Sequence, residues 1–162
     1  MDIIGLGEKS TMVQMYHNLY CSDFRCNKIV FAPDRVAHCF FIVNYLHKRE
    51  VIRDQAEYYL NSQCRNYEFF GEYSAQWELI FDDVDIDLHP DVDSDDIALT
   101  MAWEKMDCFV DALALELAIS DRAESNIYLL YDDKEVFEKV YRTVVIRTFV
   151  SDYHRSSFCE TG

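Results

Sequence analysis

The sequence predicts an α+β or α/β domain, with about four helices packed on a small mixed sheet of about four short strands. Three observations lead there. Helical apolar spacing and two-residue alternation both occur, in separate segments of one 162-residue chain. Half of the residues are hydrophobic and 15% are aromatic, which excludes a disordered chain and allows one sizeable core. Only 4 Gly and 2 Pro occur, and no linker, repeat or low-complexity tract divides the chain. Residues 1–155 therefore read as a single globular domain, and Ser156 to Gly162 as a frayed tail.

The elements follow in order. Ser10 or Thr11 caps a short helix to about Tyr20, with Met12, Met15, Tyr16 and Leu19 on one face. Lys28 to Phe31 reads as a strand stopped by Pro33. Asp34 then caps a long helix to Arg65. Its first half, Val36 to Leu46, is apolar nearly all round except for His38 and Asn44, which predicts a central, buried position. From His47 onward it becomes amphipathic.

Tyr67 to Tyr73 and Gln76 to Leu88 read as two strands around a turn at Ser74-Ala75. In the second, Trp77, Leu79 and Phe81 point one way. Beyond Asp82 the phase shifts, and Val84, Ile86 and Leu88 alternate with Asp83, Asp85 and Asp87. The shift predicts a β-bulge at Asp82-Asp83, and the alternation a solvent-facing row of carboxylates roughly 7 Å apart. His89-Pro90 ends this strand. Asp93 or Ser94 caps a helix to about Ile119, with Leu99, Ala102, Trp103, Met106, Phe109, Val110, Leu113 and Leu117 on its core face. Asp96, Glu104, Asp107 and Asp111 lie opposite. Asn126 to Tyr131 is a further strand, and Asp132 with Glu135 forms a capping box for the last helix. The β-branched run Thr143 to Ile146 argues for a strand. Because no Gly, Pro or Asn interrupts it, one helix ending near Asp152 is the reading adopted.

The charge is uneven. The net charge is +1 over Met1 to Arg65, −17 over Asn66 to Asp133 and +1 over Lys134 to Gly162, which together give the chain's −15. A segment this acidic inside a near-neutral protein acts as a directed field, and it repels nucleic acid and anionic membranes. Neither a membrane-length apolar run nor a basic, apolar leader is found, so the expectation is a cytoplasmic protein with reduced thiols. Its six cysteines show no CxxC spacing, and Cys39, Cys64 and Cys108 fall within helix-like apolar patterns.

Motifs that would carry chemistry break down in detail. Gly5 to Thr11 ends like a phosphate loop, but its spacing is short and Glu8 intrudes. Asp91, Asp93 and Asp95 imitate the start of an EF-hand, but Asp96 stands at position six and Ala102 at position twelve, where Gly and Glu are required. No nucleophile elbow occurs and the histidines are scattered. The sequence therefore assigns no catalytic residues, metal ligands or cofactor.

The acidic segment carries the functional expectation. Asp82, Asp83, Asp85, Asp87, Asp91, Asp93, Asp95, Asp96, Glu104, Asp107 and Asp111 form one partner-binding surface, with Tyr73 and Trp77 beside it as aromatic anchors. Regular carboxylates can stand in for a phosphate backbone. The expected protein is a small acidic inhibitor that occludes the basic cleft of a nucleic-acid-handling protein. Nuclease-toxin immunity proteins, antitoxins and phage blockers of restriction or CRISPR systems act in this way. An acidic scaffold docking on a basic protein is the alternative, and an enzyme with a carboxylate-bound metal is a third. The oligomeric state is left open.

Overall fold

The structure, a computed structural model, describes residues 18–32, 35–62, 64–91 and 97–158; for 121–123 and 149–158 it describes the backbone alone. Among the described residues the elements are β1 (Leu19–Asp23), β2 (Ala37–Ile42), α1 (Arg49–Leu60), β3 (Cys64–Phe70), α2 (Ser74–Leu88), β4 (Leu99–Trp103), α3 (Met106–Ala123), β5 (Asn126–Tyr131) and α4 (Lys134–Phe158). The strands form one sheet in the order β1-β5-β2-β3-β4. Every pairing is parallel. Four helices on a small sheet agree with the sequence reading, but the sheet has five strands and is not mixed.

This is a doubly wound arrangement. From β2 the chain steps outward through α1 and α2 to the edge strand β4, then returns through α3 to place β5 on the other side of β2. Side chains sort accordingly. Cys39, Phe41 and Val43 of the β2 segment and Tyr128 and Leu130 of β5 pack with α1 and α2. Phe40, Ile42, Ile127 and Leu129 pack with α3 and α4. At the centre of the first layer the Phe41 ring lies 5.1 Å from Tyr59, 5.3 Å from Phe69 and 5.8 Å from both Trp77 and Phe81.

The same sorting explains two corrections. Within the stretch expected to be a buried half-helix, Ala37–Ile42 is a central strand, while Val36, Tyr45 and Leu46 at its ends are exposed. A parallel strand covered on both faces is apolar on both, so it shows no two-residue period. Cys39 and Cys64 accordingly sit side by side on β2 and β3, with sulfurs 3.2 Å apart.

The larger correction concerns Ser74–Leu88, which is helix α2 and not a strand with a bulge at Asp82-Asp83. Trp77, Ile80, Phe81 and Val84 are buried at the i, i+3, i+4, i+7 spacing of a helix face. Leu79 and Ile86, assigned inward by alternation, are 58% and 67% exposed. Gly71 makes the preceding turn possible. Its φ is +123°, and a Cβ there would meet the Val43 carbonyl oxygen at 2.6 Å.

Other boundaries move as well. Lys28 to Phe31 is irregular, and Leu19–Asp23 is strand rather than helix end. The helix expected from Asp93 or Ser94 to Ile119 is strand β4 followed by α3, so Trp103 lies on a sheet edge. The last element is one helix through residues 143–150, continuing to Phe158 rather than ending near Asp152. Its cap is Asp133, whose Oδ1 accepts the Glu135 and Val136 N–H groups at 3.0 and 3.2 Å, and not Asp132. The phosphate-loop imitation, most of the first expected helix, Pro33 and Asp34 lie outside the described residues.

The helix assignment makes a sharp prediction. Trp77→Ala is expected to cost about 3–5 kcal/mol, whereas Leu79→Ala changes stability by about 0.5 kcal/mol or less. On a strand both side chains would share one face and cost alike. Urea melts of the two variants decide.

Candidate functional site

The carboxylates of α2 have local partners on two sides. One side meets α1: Arg49 donates to Asp83 at 2.7 Å and Arg53 to Asp87 at 2.9 Å. These two i,i+4 pairs match in step because both helices run the same way along the sheet.

The other side meets the edge strand. In a parallel strand alternate residues turn their N–H groups to opposite edges. Ala98 N–H donates to Asp85 Oδ2 at 2.9 Å and Ala102 N–H to Glu78 Oε1 at 3.2 Å. Between them the Thr100 hydroxyl donates to Asp82 Oδ1 at 2.5 Å. Glu78, Asp82 and Asp85 stand at i, i+4 and i+7 on the helix, and their partners recur every second residue on the strand. The rise of two helical turns, roughly 11 Å, roughly matches the 13 Å of four strand residues. A helix thus takes the place of a sixth strand and caps an edge that would otherwise invite pairing with another chain. Asp85 is buried and also holds His89 Nδ1 at 2.9 Å.

Asp82 is exposed, Asp83 half-buried, Asp85 buried and Asp87 exposed, so the expected solvent-facing row does not exist. Asp91 and Glu104 are exposed. Asp107 and Asp111 are exposed on α3, and both accept from Arg147 of α4. Asp93, Asp95 and Asp96 lie outside the described residues. Trp77 has no exposed surface and cannot anchor a partner on this fold, while Tyr73 is half-buried against the core.

Sequence reasoning missed a cleft on the opposite face of the sheet. Helix α3, crossing from β4 back to β5, packs Phe109, Val110, Leu113 and Leu117 over the centre. The β3–β4 rim is left open. The resulting cleft of about 500 Å³ is lined by Glu68, Trp103, Cys108, Asp111, Ala112, Leu115 and Glu116. Glu68 faces it from β3, and Trp103 Nε1–H donates to Glu68 Oε2. Glu116 faces it from α3, with His38 Nδ1 3.6 Å away. Burial pushes the Glu68 carboxyl above the usual carboxylate range; the indole bond opposes this, and the nearby Glu116 charge adds to it. Around the cleft Leu99 is 70% exposed, Met101 48%, Leu115 62% and Ile119 46%. These exposed apolar residues flank the cleft on its β4 and α3 sides. The signal in the sequence was Glu68 alternating with apolar neighbours on a strand, visible only once α3 is known to miss it.

Among the described residues no group of three or more His, Cys, Asp or Glu is placed to hold a metal ion, and no helix is long and apolar enough to cross a membrane.

Two predictions follow from these carboxylates. Asp85→Ala strands the Ala98 N–H in a buried site and is expected to cost about 1–3 kcal/mol, with a much smaller effect from Asp87→Asn on the exposed side; thermal melts at one pH compare them. For Glu68 the folded-state pKa lies above the unfolded one. The native state therefore loses stability as pH rises through the raised value and regains it as pH falls toward the ordinary 4.5. Glu68→Gln is expected to raise the melting temperature at pH 7.5, with the gap closing toward pH 4. A gap that widens in acid would show that burial does not dominate.

No family model matches this chain, and no curated protein or solved structure shows significant similarity to it.

Proposed function

We propose that this chain is an acidic protein inhibitor that binds a basic, nucleic-acid-handling protein and excludes DNA or RNA from it. The observation that supports the reading is an apolar surface edged with carboxylates, on a chain of net charge −15. Exposed apolar residues supply affinity through burial, and the acidic field supplies fast encounter with a cationic surface. Nucleic acid is excluded as a direct ligand by the same field.

The interface in this reading is not a phosphate-like row. The α2 carboxylates that would have formed it hold α1 and β4 instead. Their second oxygens and the exposed Asp91 and Glu104 still contribute to the field. Contact itself falls to the open β3–β4 face.

Affinity capture from the native host, followed by displacement, tests the reading. The captured partner is expected to be basic and to bind DNA or RNA. Adding this chain is expected to release a labelled oligonucleotide from it, with association slowing at least tenfold between about 50 and 500 mM salt as screening shortens the field. A ternary complex that keeps its nucleic acid would replace occlusion with the scaffold reading.

A further inference from the structure

We propose that the cleft between α3 and the β3–β4 rim seats an arginine side chain of the basic partner, its guanidinium between Glu68 and Glu116 and against the Trp103 ring. This deepens the reading above and rests on it for the partner's charge.

The occupant is argued from complementarity. Three carboxylates and no cation line the cleft. Asp111 is already held by Arg147, which leaves Glu68 and Glu116 facing each other from β3 and α3. Trp103 fixes one Glu68 oxygen, and among the described residues no donor reaches the other. A partly buried carboxylate with a free oxygen, a second carboxylate beside it and an aromatic ring at hand match a planar guanidinium. That group donates in a fork, stacks on rings and loses less hydration than an ammonium. Residues flanking the arginine would lie on Leu99, Met101 and Leu115, which share this open face. Burial of Glu68 makes the site costly when empty, and a cation removes that cost. His38 Nδ1 borders the seat, 3.6 Å from Glu116 and 3.2 Å from Asn66 Nδ2.

The outer edge of β4 is a poorer docking site. Its outward Ala98 and Ala102 N–H groups are taken by Asp85 and Glu78, so an added strand would find them occupied.

The test titrates the full chain with the peptide Ac-Leu-Arg-Leu-Arg-NH2, following the indole ¹H–¹⁵N signals of both tryptophans at pH 7.5. The Trp103 signal is expected to shift saturably, and that of the buried Trp77 hardly at all. The same peptide with citrulline for arginine keeps shape and loses charge, and is expected to bind at least about tenfold more weakly. Glu68→Gln with Glu116→Gln is expected to weaken the arginine peptide by a similar factor, with the Trp77 signal reporting an intact core. Equal binding of the citrulline peptide to the unaltered protein overturns the proposal, as does a Trp103 signal that never saturates. Nucleic-acid displacement that persists undiminished in the double variant also overturns the cleft as the seat, while leaving occlusion in place. Arginine-peptide binding lost in the double variant supports the cleft even where the captured partner proves not to be basic.

Discussion

The fold depends on one buried carboxylate at the point where the strand order reverses. Asp132 follows β5 and has no exposed surface. Its two oxygens accept the Asn44 and Tyr45 N–H groups at 2.8 and 3.1 Å, and His47 Nε2 lies 2.9 Å from the second. A carboxylate taken out of water is tolerated only when its lone pairs are satisfied, so these bonds oblige the chain leaving β2 to wrap over the end of β5. Asp132 N–H in turn donates to the Ile42 carbonyl. The next residue, Asp133, both caps α4 and accepts from the Asn44 amide at 2.8 Å. Two adjacent aspartates thereby join the two wings of the sheet, direct the chain into α1 and start α4. In doubly wound folds this crevice commonly receives a ligand. Here its polar groups bond one another.

The same economy governs the acidic segment. Like charges so close in sequence would repel, yet each described carboxylate of α2 has a donor. Arg49 and Arg53 stand on one side, and the Ala98 and Ala102 N–H groups with the Thr100 hydroxyl on the other. The helix binds its neighbour helix through ions and the sheet edge through hydrogen bonds, while Trp77, Ile80, Phe81 and Val84 bind the core through burial. Part of the −17 segment is therefore structural, and the field it sets up is a by-product available to function.

The proposed interface lies on the face that the topology leaves uncovered. On the α1–α2 side the loop after β1 extends the cover, with Phe24, Ile29 and Phe31 joining that core. On the other side α3 must return to the centre to deliver β5, so β3 and β4 keep an open flank of mixed apolar and acidic character. A binding surface placed there costs the core nothing, because Glu68, Met101 and Leu99 lie outside both buried clusters.

Composition and local pattern were legible from residue types alone. From these came the strand at Asn126–Tyr131, the uninterrupted last helix, the burial of Cys39–Val43 and the location of the charge. These follow from residue type and near neighbours. Tertiary structure decided the rest where local signals conflicted. Ser74–Leu88 carried both a two-residue alternation of aspartates and a helical spacing of Trp77, Ile80, Phe81 and Val84. Packing against Phe41 and Phe69 favours the helix, because only a helix places all four on one face. Strand β2 lost its period because both its faces are covered, which no single segment can reveal. The pairings of Asp83 with Arg49 and Asp85 with Ala98, and the meeting of Glu68 with Glu116, join residues from 13 to 48 positions apart. Such contacts are set by where the crossovers return, and that is a property of the whole sheet.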